Sequence, residues 1–367
     1  MKVRIMTKSE KICEDLGKMY FFKEMVKSNL IYISEAKEEK ELADIILRVG
    51  NFIIPIQIKE KINNDTDIDK WLNNKVYKKA KKQTKETCRQ IMEKIKFKDN
   101  NNSDILDNIE KCIIIPIIIF DIQDITVKYK KNYISSNSDL LIHVFNIKDF
   151  KKMCDMLIAP MEMIRYLEER KQYINYPLLS CELMEKMILV KNEQEEDMIL
   201  FYIEKYNLKI SDENKLKLLK FNTYLSLFEE HCINNKNEYK IFIKKLSCFF
   251  VKKIYHFIDR IDLIIEKGNK KQFYWNSYII DNEQSVLFIS LPREKYNVQF
   301  ITFISNIFMY NFKINSVLSI ISYSISDDMY ELDFALCEYD KENESLYVEA
   351  NNQGYSDVWK HKIEDKI

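Results

Sequence analysis

Glycine is scarce: four in 367 residues, at Gly17, Gly50, Gly268 and Gly354. Phosphate-cradling P-loops and dinucleotide-binding fingerprints need clustered glycines, because the backbone must approach the phosphates closely. Neither can be built from this chain, and there is no GxSxG nucleophile elbow. These gaps argue against an NTPase, a Rossmann dehydrogenase or an α/β-hydrolase. The eight cysteines fall in no CxxC pair and the four histidines are dispersed, so a zinc ribbon or a thioredoxin-like motif has no support. The N-terminus shows no secretory signal, and the thiols are expected to be reduced in a cytoplasmic protein. Long apolar runs are also missing. The strongest, Cys112–Phe120, is far short of the ~20 residues that span a bilayer, so no membrane association is expected. Net charge is zero, with 57 basic and 57 acidic side chains. No global field draws in nucleic acid, and any such attraction must come from a local patch. Internal repeats and Gly/Ser linkers are absent.

What is present is core material: 46% of residues are hydrophobic and 31% charged, enough to argue against wholesale disorder. The length suggests two domains at the usual ~100–200 residues each. Residues 8–28 read as a helix with Ser9 as N-cap, and Leu30–Ile33 as a short strand. Ala43–Val49 and Phe52–Ile58 are β-branched runs joined at Gly50-Asn51, a hairpin signal, with Pro55 suggesting an edge position or a bulge. Asp67–Lys94 reads as one long helix whose stripe is Ile68, Leu72, Val76, Ala80, Thr84, Cys88, Ile91 and Ile95. Its other faces are basic, with eight basic residues from Lys70 to Arg89 against one acid, Glu86. Lys98–Asp104 reads as a polar loop, Cys112–Phe120 as a strand buried on both faces, and Asp139–Phe145 as a further strand. Helices Ile147–Leu157 and Met161–Arg170 follow. The order predicts an α/β layer structure over 1–171. From 172 to 367 the texture changes to a second, α+β domain. Glu182–Glu266 is mostly helical, and strands are expected at Gln272–Ile280, Ser285–Leu291, Ser316–Ile325 and Tyr330–Tyr339, with a helix near Asn297–Tyr310.

The stretch that carries chemistry is the hairpin. Asp44 opens one strand, and twelve residues later a Gln-x-Lys closes the next. Residues i and i+2 share a strand face, so Gln57 and Lys59 point one way and Ile58 the other, and the hairpin can bring Asp44 opposite them. Phosphodiester hydrolysis uses such a grouping. A hard carboxylate holds Mg²⁺ or Mn²⁺ against a phosphate oxygen, and a lysine beside it orients water and offsets developing charge. The Ile58 carbonyl is placed as an extra hard ligand.

Asp44…Gln57-Ile58-Lys59 resembles the PD-(D/E)xK nuclease signature, in the variant where glutamine replaces the second acid, as in restriction nucleases of the Mrr kind. Trp71-Leu…Lys75-Val…Ala80-Lys-Lys-Gln83 resembles the lysine- and glutamine-bearing helix that follows the motif in such proteins. His143-Val-Phe…Asp149-Phe and Tyr166-Leu-Glu-Glu-Arg170 resemble a tail found in uncharacterised bacterial nuclease-like proteins. The resemblance covers residues 8–170. It implies a restriction-endonuclease-like core with a central mixed sheet flanked by helices, and Mg²⁺- or Mn²⁺-dependent cleavage of nucleic acid, with DNA expected. Defence against foreign DNA accords with it. It departs from the pattern in two places: Ala43 stands where the family has proline, and Gln57 is neutral, leaving the metal one charge short. In this superfamily a carboxylate on the first helix often compensates. Glu10 and Glu14 are the candidates, and Glu14 is taken into the metal set with Asp44, Gln57 and Ile58. Glu60, nearer in sequence, lies on the opposite face from Lys59.

Lys75, Lys78, Lys79 and Lys82 sit on neighbouring turns and, with Gln83, can follow a nucleic-acid backbone through sequence-independent contacts. A basic helix face is otherwise an ordinary solvated one. Trp71, the dispersed histidines and the aromatics from Phe249 to Trp275 are expected to be structural. Residues 172–367 are expected to recognise substrate, to dimerise or to bind a partner protein. The competing reading keeps the fold and drops the catalysis, leaving a nucleic-acid-binding or protein-interaction module. An acidic cluster around Asp44 separates the two readings.

Overall fold

A computed structural model describes residues 6–33, 36–62, 67–93, 111–122, 127–134, 140–175, 195–231, 236–326 and 329–353. The expected loop at Lys98–Asp104, the first residue of the expected strand at 139, Ile95 and His361 lie outside these. The chain divides into two compact units, Met1–Lys215 with Ser247–Val251, and Leu216–Leu246 with Lys252–Ile367. The boundary drawn from sequence at 171/172 falls inside a helix of the first unit.

The first unit opens with α1, Lys8–Tyr20. Thr7, not Ser9, is its N-cap. The Thr7 hydroxyl accepts from Glu10 N–H at 3.3 Å, and Glu10 Oε2 accepts from Thr7 N–H at 2.9 Å, a reciprocal capping box. The helix ends well before residue 28. A 3₁₀ turn, Lys23–Met25, leads into strand β1, Val26–Ser28, whose pairing with β4 (Ile45–Val49) overrides the helical period. Strands β2 (Ile31–Ile33) and β3 (Glu39–Glu41) form a small hairpin of their own. Strand β5, Phe52–Lys61, pairs antiparallel with β4 through the two-residue loop Gly50-Asn51. Gly50 has φ +53°, and a Cβ there would overlap Cys248 Sγ, so both the turn and its surroundings demand glycine.

Next comes the long helix. Ile68–Trp71, a π-helical Leu72–Ala80 and Lys81–Met92 run on as one helix, α2, capped by Asp67. Strands β6 (Ile113–Ile114), β7 (Ile117–Ile122), β8 (Asn132–Ile134) and β9 (Leu141–Asn146) complete a seven-stranded mixed sheet in the order β1-β4-β5-β7-β9-β8, with β6 paired to β5. Strand β7 lies parallel between β5 and β9, with Ile117, Ile118, Ile119 and Phe120 fully buried. Pro55 sits in the central strand β5 and not at an edge. Its backbone points the same way as that of Ile53, whose carbonyl accepts from Ile115 N–H at 2.9 Å. The missing donor therefore faces the break between β6 and β7, where Ile115-Pro116 interrupts the neighbouring strand and little pairing is lost.

The two sheet faces are covered differently. Leu72, Val76 and Ala80 of α2 pack on Ile118, Phe120, Ile142 and Val144, with Trp71 partly buried beside them. Ile91 packs on Ile46 and Ile53. Burial of each large aliphatic here contributes about 1.5–3 kcal/mol. Helix α1 covers the opposite face. A Cβ at Gly17 would stand 3.1 Å from Leu47, so glycine permits the close approach.

Helices α3 (Ile147–Leu157), α4 (Pro160–Asn175) and α5 (Glu195–Lys205) follow. Arg170 and Glu195 are both fully buried and joined fork to fork, Nε to Oε1 at 2.6 Å and Nη2 to Oε2 at 3.0 Å. Tyr166 donates to Glu195 Oε1 at 2.6 Å and Lys131 to Oε2 at 3.1 Å, while Arg170 also reaches the Lys131 and Val144 carbonyls. His143 is buried with Nδ1 3.2 Å from Arg170 Nη1, a structural place. This network ties α4, α5, β9 and the chain before β8 into one unit.

The second unit is α+β. Helices α6 (Asp212–His231, which begins at the boundary), α7 (Lys236–Leu246) and α8 (Val251–Asn269) precede a four-stranded sheet. Its strands are β10 (Tyr274–Ile279), β11 (Gln284–Ser290), β12 (Ser316–Ser326) and β13 (Met329–Glu338), paired in that order. Helix α9, Val298–Phe312, connects the parallel pair β11 and β12, and α10, Glu344–Asn352, follows the sheet. One sheet face packs on α9 through Leu287, Ile289, Val317 and Ile321. On the other, Phe228 and Phe257 stack edge-on against Phe334 and Phe288 at 4.3 and 5.1 Å.

Candidate functional site

The site grows from the unequal lengths of two strands. The last ladder pair of the hairpin is Ile45↔Ile56, yet β5 runs on to Lys61. Ile58 points its N–H and C=O towards β4 like Ile56, but β4 has already ended, so both groups need other partners. Asp44 Oδ2 accepts the Ile58 N–H at 2.5 Å, and Lys59 Nζ donates to the Ile58 carbonyl at 2.8 Å. The ammonium lies 3.9 Å from Asp44 Oδ2. Gln57 and Lys59 share a sheet face with Ile46 and Ile53, the face that α2 covers, while Asp44 stands just before β4 begins, at the end of the ladder. Asp44 and Gln57 are only 6% and 5% exposed. The Gln57 carboxamide enters none of the hydrogen bonds of the described residues, an open polar group beside a buried carboxylate.

Glu14 is engaged elsewhere. Its Oε1 accepts from Ser28 at 2.9 Å and meets Lys18 Nζ at 2.9 Å, and its Oε2 lies 3.4 Å from Lys11. Partial burial alone would raise its carboxyl. Lys18, Ser28 and Lys11 outweigh that and hold it below the ordinary glutamate range. Glu10 closes the capping box.

Asp121, at the end of β7, was missed by the sequence reading. It accepts from Ser9 Oγ at 2.8 Å and pairs in register with Glu60, on the sheet face opposite Gln57 and Lys59. Burial, and then the charges of Asp121, Asp44 and Glu10, push the Cys13 thiol far up. The signal was available: Asp121 interrupts an otherwise apolar strand just beyond the expected end at Phe120.

A hard cation at the hairpin would meet Asp44, the Gln57 amide oxygen and the Ile58 carbonyl, three oxygens with one charge. That set suits Mg²⁺, which keeps several waters and takes phosphate oxygens as further ligands. Among the described residues no three His, Cys, Asp or Glu side chains converge as a metal cluster.

Above this face, Lys75, Lys78, Lys79, Lys82 and Gln83 of α2 are all exposed. Arg89 is not free for a ligand: it pairs with Glu86 at 2.7 Å and Glu93 at 3.0 Å. No helix of the described residues is long and apolar enough to cross a membrane.

The chain matches no family model and no curated protein. Among solved structures it overlaps the small subunit of the heterodimeric restriction endonuclease R.BspD6I, over 56% of this chain and 100% of that one, at 13% identity and a TM-score of 0.22. A similarity of that size carries no argument about fold or activity.

Proposed function

We propose that the first unit is a restriction-endonuclease-like core acting as a Mg²⁺- or Mn²⁺-dependent nuclease, with DNA as substrate. The observation that carries this reading is the end of the β4–β5 ladder. There the Ile58 backbone groups pass to Asp44 and Lys59, and a buried Gln57 amide stands open beside them. Asp44, Gln57 and the Ile58 carbonyl would hold the metal, which when bound polarises a phosphate oxygen and acidifies water. Lys59 positions water at the phosphorus and offsets charge on the phosphoryl oxygens. Lys75, Lys78, Lys79, Lys82 and Gln83 hold the backbone in register without reading sequence. The second unit is the candidate for substrate recognition, self-association or partner binding.

Metal-dependent cutting of single-stranded and duplex DNA, abolished by EDTA and by Asp44→Ala and Lys59→Ala, is the expected result. Cutting that survives both substitutions sinks the site.

One observation favours a second reading. Of the carboxylates expected at the metal, Glu14 is held by Ser28, Lys18 and Lys11, which leaves one formal charge, Asp44, and a single charge binds metal weakly. A non-catalytic nucleic-acid-binding module would bind the same DNA with no cutting in either metal.

A further inference from the structure

The chain between β7 and β8 adds a second basic element to α2. Residues 127–131 read Val-Lys-Tyr-Lys-Lys. Val127 and Tyr129 pack inward on the Leu72, Val76 and Phe120 cluster, with Tyr129 edge-on to Phe120 at 5.0 Å. Tyr129 Oη also donates to Asp149 at 2.6 Å. Alternation then turns Lys128 and Lys130 outward, and both are exposed. The segment is fastened to the helix, since Lys130 N–H donates to Tyr77 Oη at 3.0 Å. Lys81 lies one helical turn beyond Tyr77 and Lys85 one turn further, on the half-buried flank of α2 and not on its outer face. The Lys130 backbone is therefore fastened one helical turn from Lys81 and two from Lys85.

We propose that Lys81, Lys85 and Lys130 form a seat for a backbone phosphate of the nucleic acid, separate from the cleavage site and from the outer row Lys75, Lys78, Lys79 and Lys82. Partial burial, followed by the like charges of Lys85 and Lys130, holds the Lys81 ammonium below its ordinary range, a penalty that an anion between them relieves. The seat fixes where the strand leaves the outer row, because Tyr129 and the Tyr77 hydrogen bond hold the segment to the core. A lysine on a mobile loop would add affinity but no register. The inference rests on the reading of nucleic acid as partner.

The test is binding of a short fluorescein-labelled DNA duplex in EDTA, by anisotropy, across a salt series. The triple variant Lys81→Ala, Lys85→Ala, Lys130→Ala is compared with a control of equal charge change on exposed lysines of the first unit outside α2 and residues 127–131, Lys8→Ala, Lys23→Ala, Lys151→Ala. Each phosphate neutralised contributes about 0.9 to the slope of log affinity against log salt. The seat variant is expected to lower that slope by about one such step and to weaken binding roughly tenfold at low salt, with the control unchanged. An unchanged slope in the seat variant, or an equal fall in the control, overturns the seat and leaves the nuclease reading standing. A wild-type protein that binds no DNA overturns both. Polyglutamate competing as well as the duplex would assign the seat to an acidic protein and overturn it too.

Discussion

The Asp44 carboxylate does two things that substitution can separate. It accepts the Ile58 N–H in a buried place, and it would supply the only formal charge at the metal. Asp44→Asn keeps an acceptor of the same shape. We expect stability within about 1 kcal/mol of wild type in urea unfolding, with cleavage down by at least about 100-fold. Asp44→Ala also strands a buried donor, and should cost about 1–3 kcal/mol in the same unfolding experiment. Gln57→Glu restores a second acid, and should tighten Mg²⁺ binding about tenfold, or 1.4 kcal/mol, by calorimetry. Unchanged affinity would place Gln57 outside the metal set. At this scale the sequence was informative where a local period applied. Strand alternation alone puts Gln57 and Lys59 on one face and Glu60 on the other. It could not show that Glu14 is taken by Ser28, nor that Asp121 accepts from Ser9, because those contacts join different elements; only the Glu14–Lys18 pair, four residues apart on one helix, follows from spacing.

Elements with a strong period were legible almost to their ends. The hairpin at Gly50-Asn51, the stripe of α2, helix Ile147–Leu157 and all four strands of the second sheet follow from spacing and turn residues. The misses have tertiary causes. Residues 26–28 leave the helical pattern because β4 offers them a ladder, and Pro55 is tolerated in a central strand because Pro116 breaks the strand beside it. Helix α5 joins the first unit because Glu195 must meet Arg170, twenty-five residues away. Removing one partner of such a buried pair leaves an uncompensated charge. Arg170→Met should therefore destabilise by about 3–5 kcal/mol in denaturant unfolding. Burial alone would raise the Glu195 carboxyl, but Arg170 and Lys131 reverse that and hold it below its ordinary value of 4.5. A folded-state value below the unfolded one contributes stability above the ordinary range and loses it as pH falls through the lower folded value. Thermal stability of the wild type should therefore fall below about pH 4.5, and Arg170→Met should flatten that part of the profile.

For the whole molecule, zero net charge conceals a strongly uneven surface. The lysines of α2, with Lys128 and Lys130, lie on one side of the first unit, over the sheet face that carries Gln57 and Lys59. The proposed site and the basic residues thus share one side of the sheet without any global field. The second unit brings its own sheet and core. The measurement that tests the central claim most directly is nicking of supercoiled plasmid in Mg²⁺ by wild type and by Asp44→Asn, with folding of both verified by unfolding. The account predicts conversion to open or linear DNA by the wild type and almost none by the variant. Equal nicking by the two proteins, or none by either, would contradict a metal-dependent nuclease centred on Asp44.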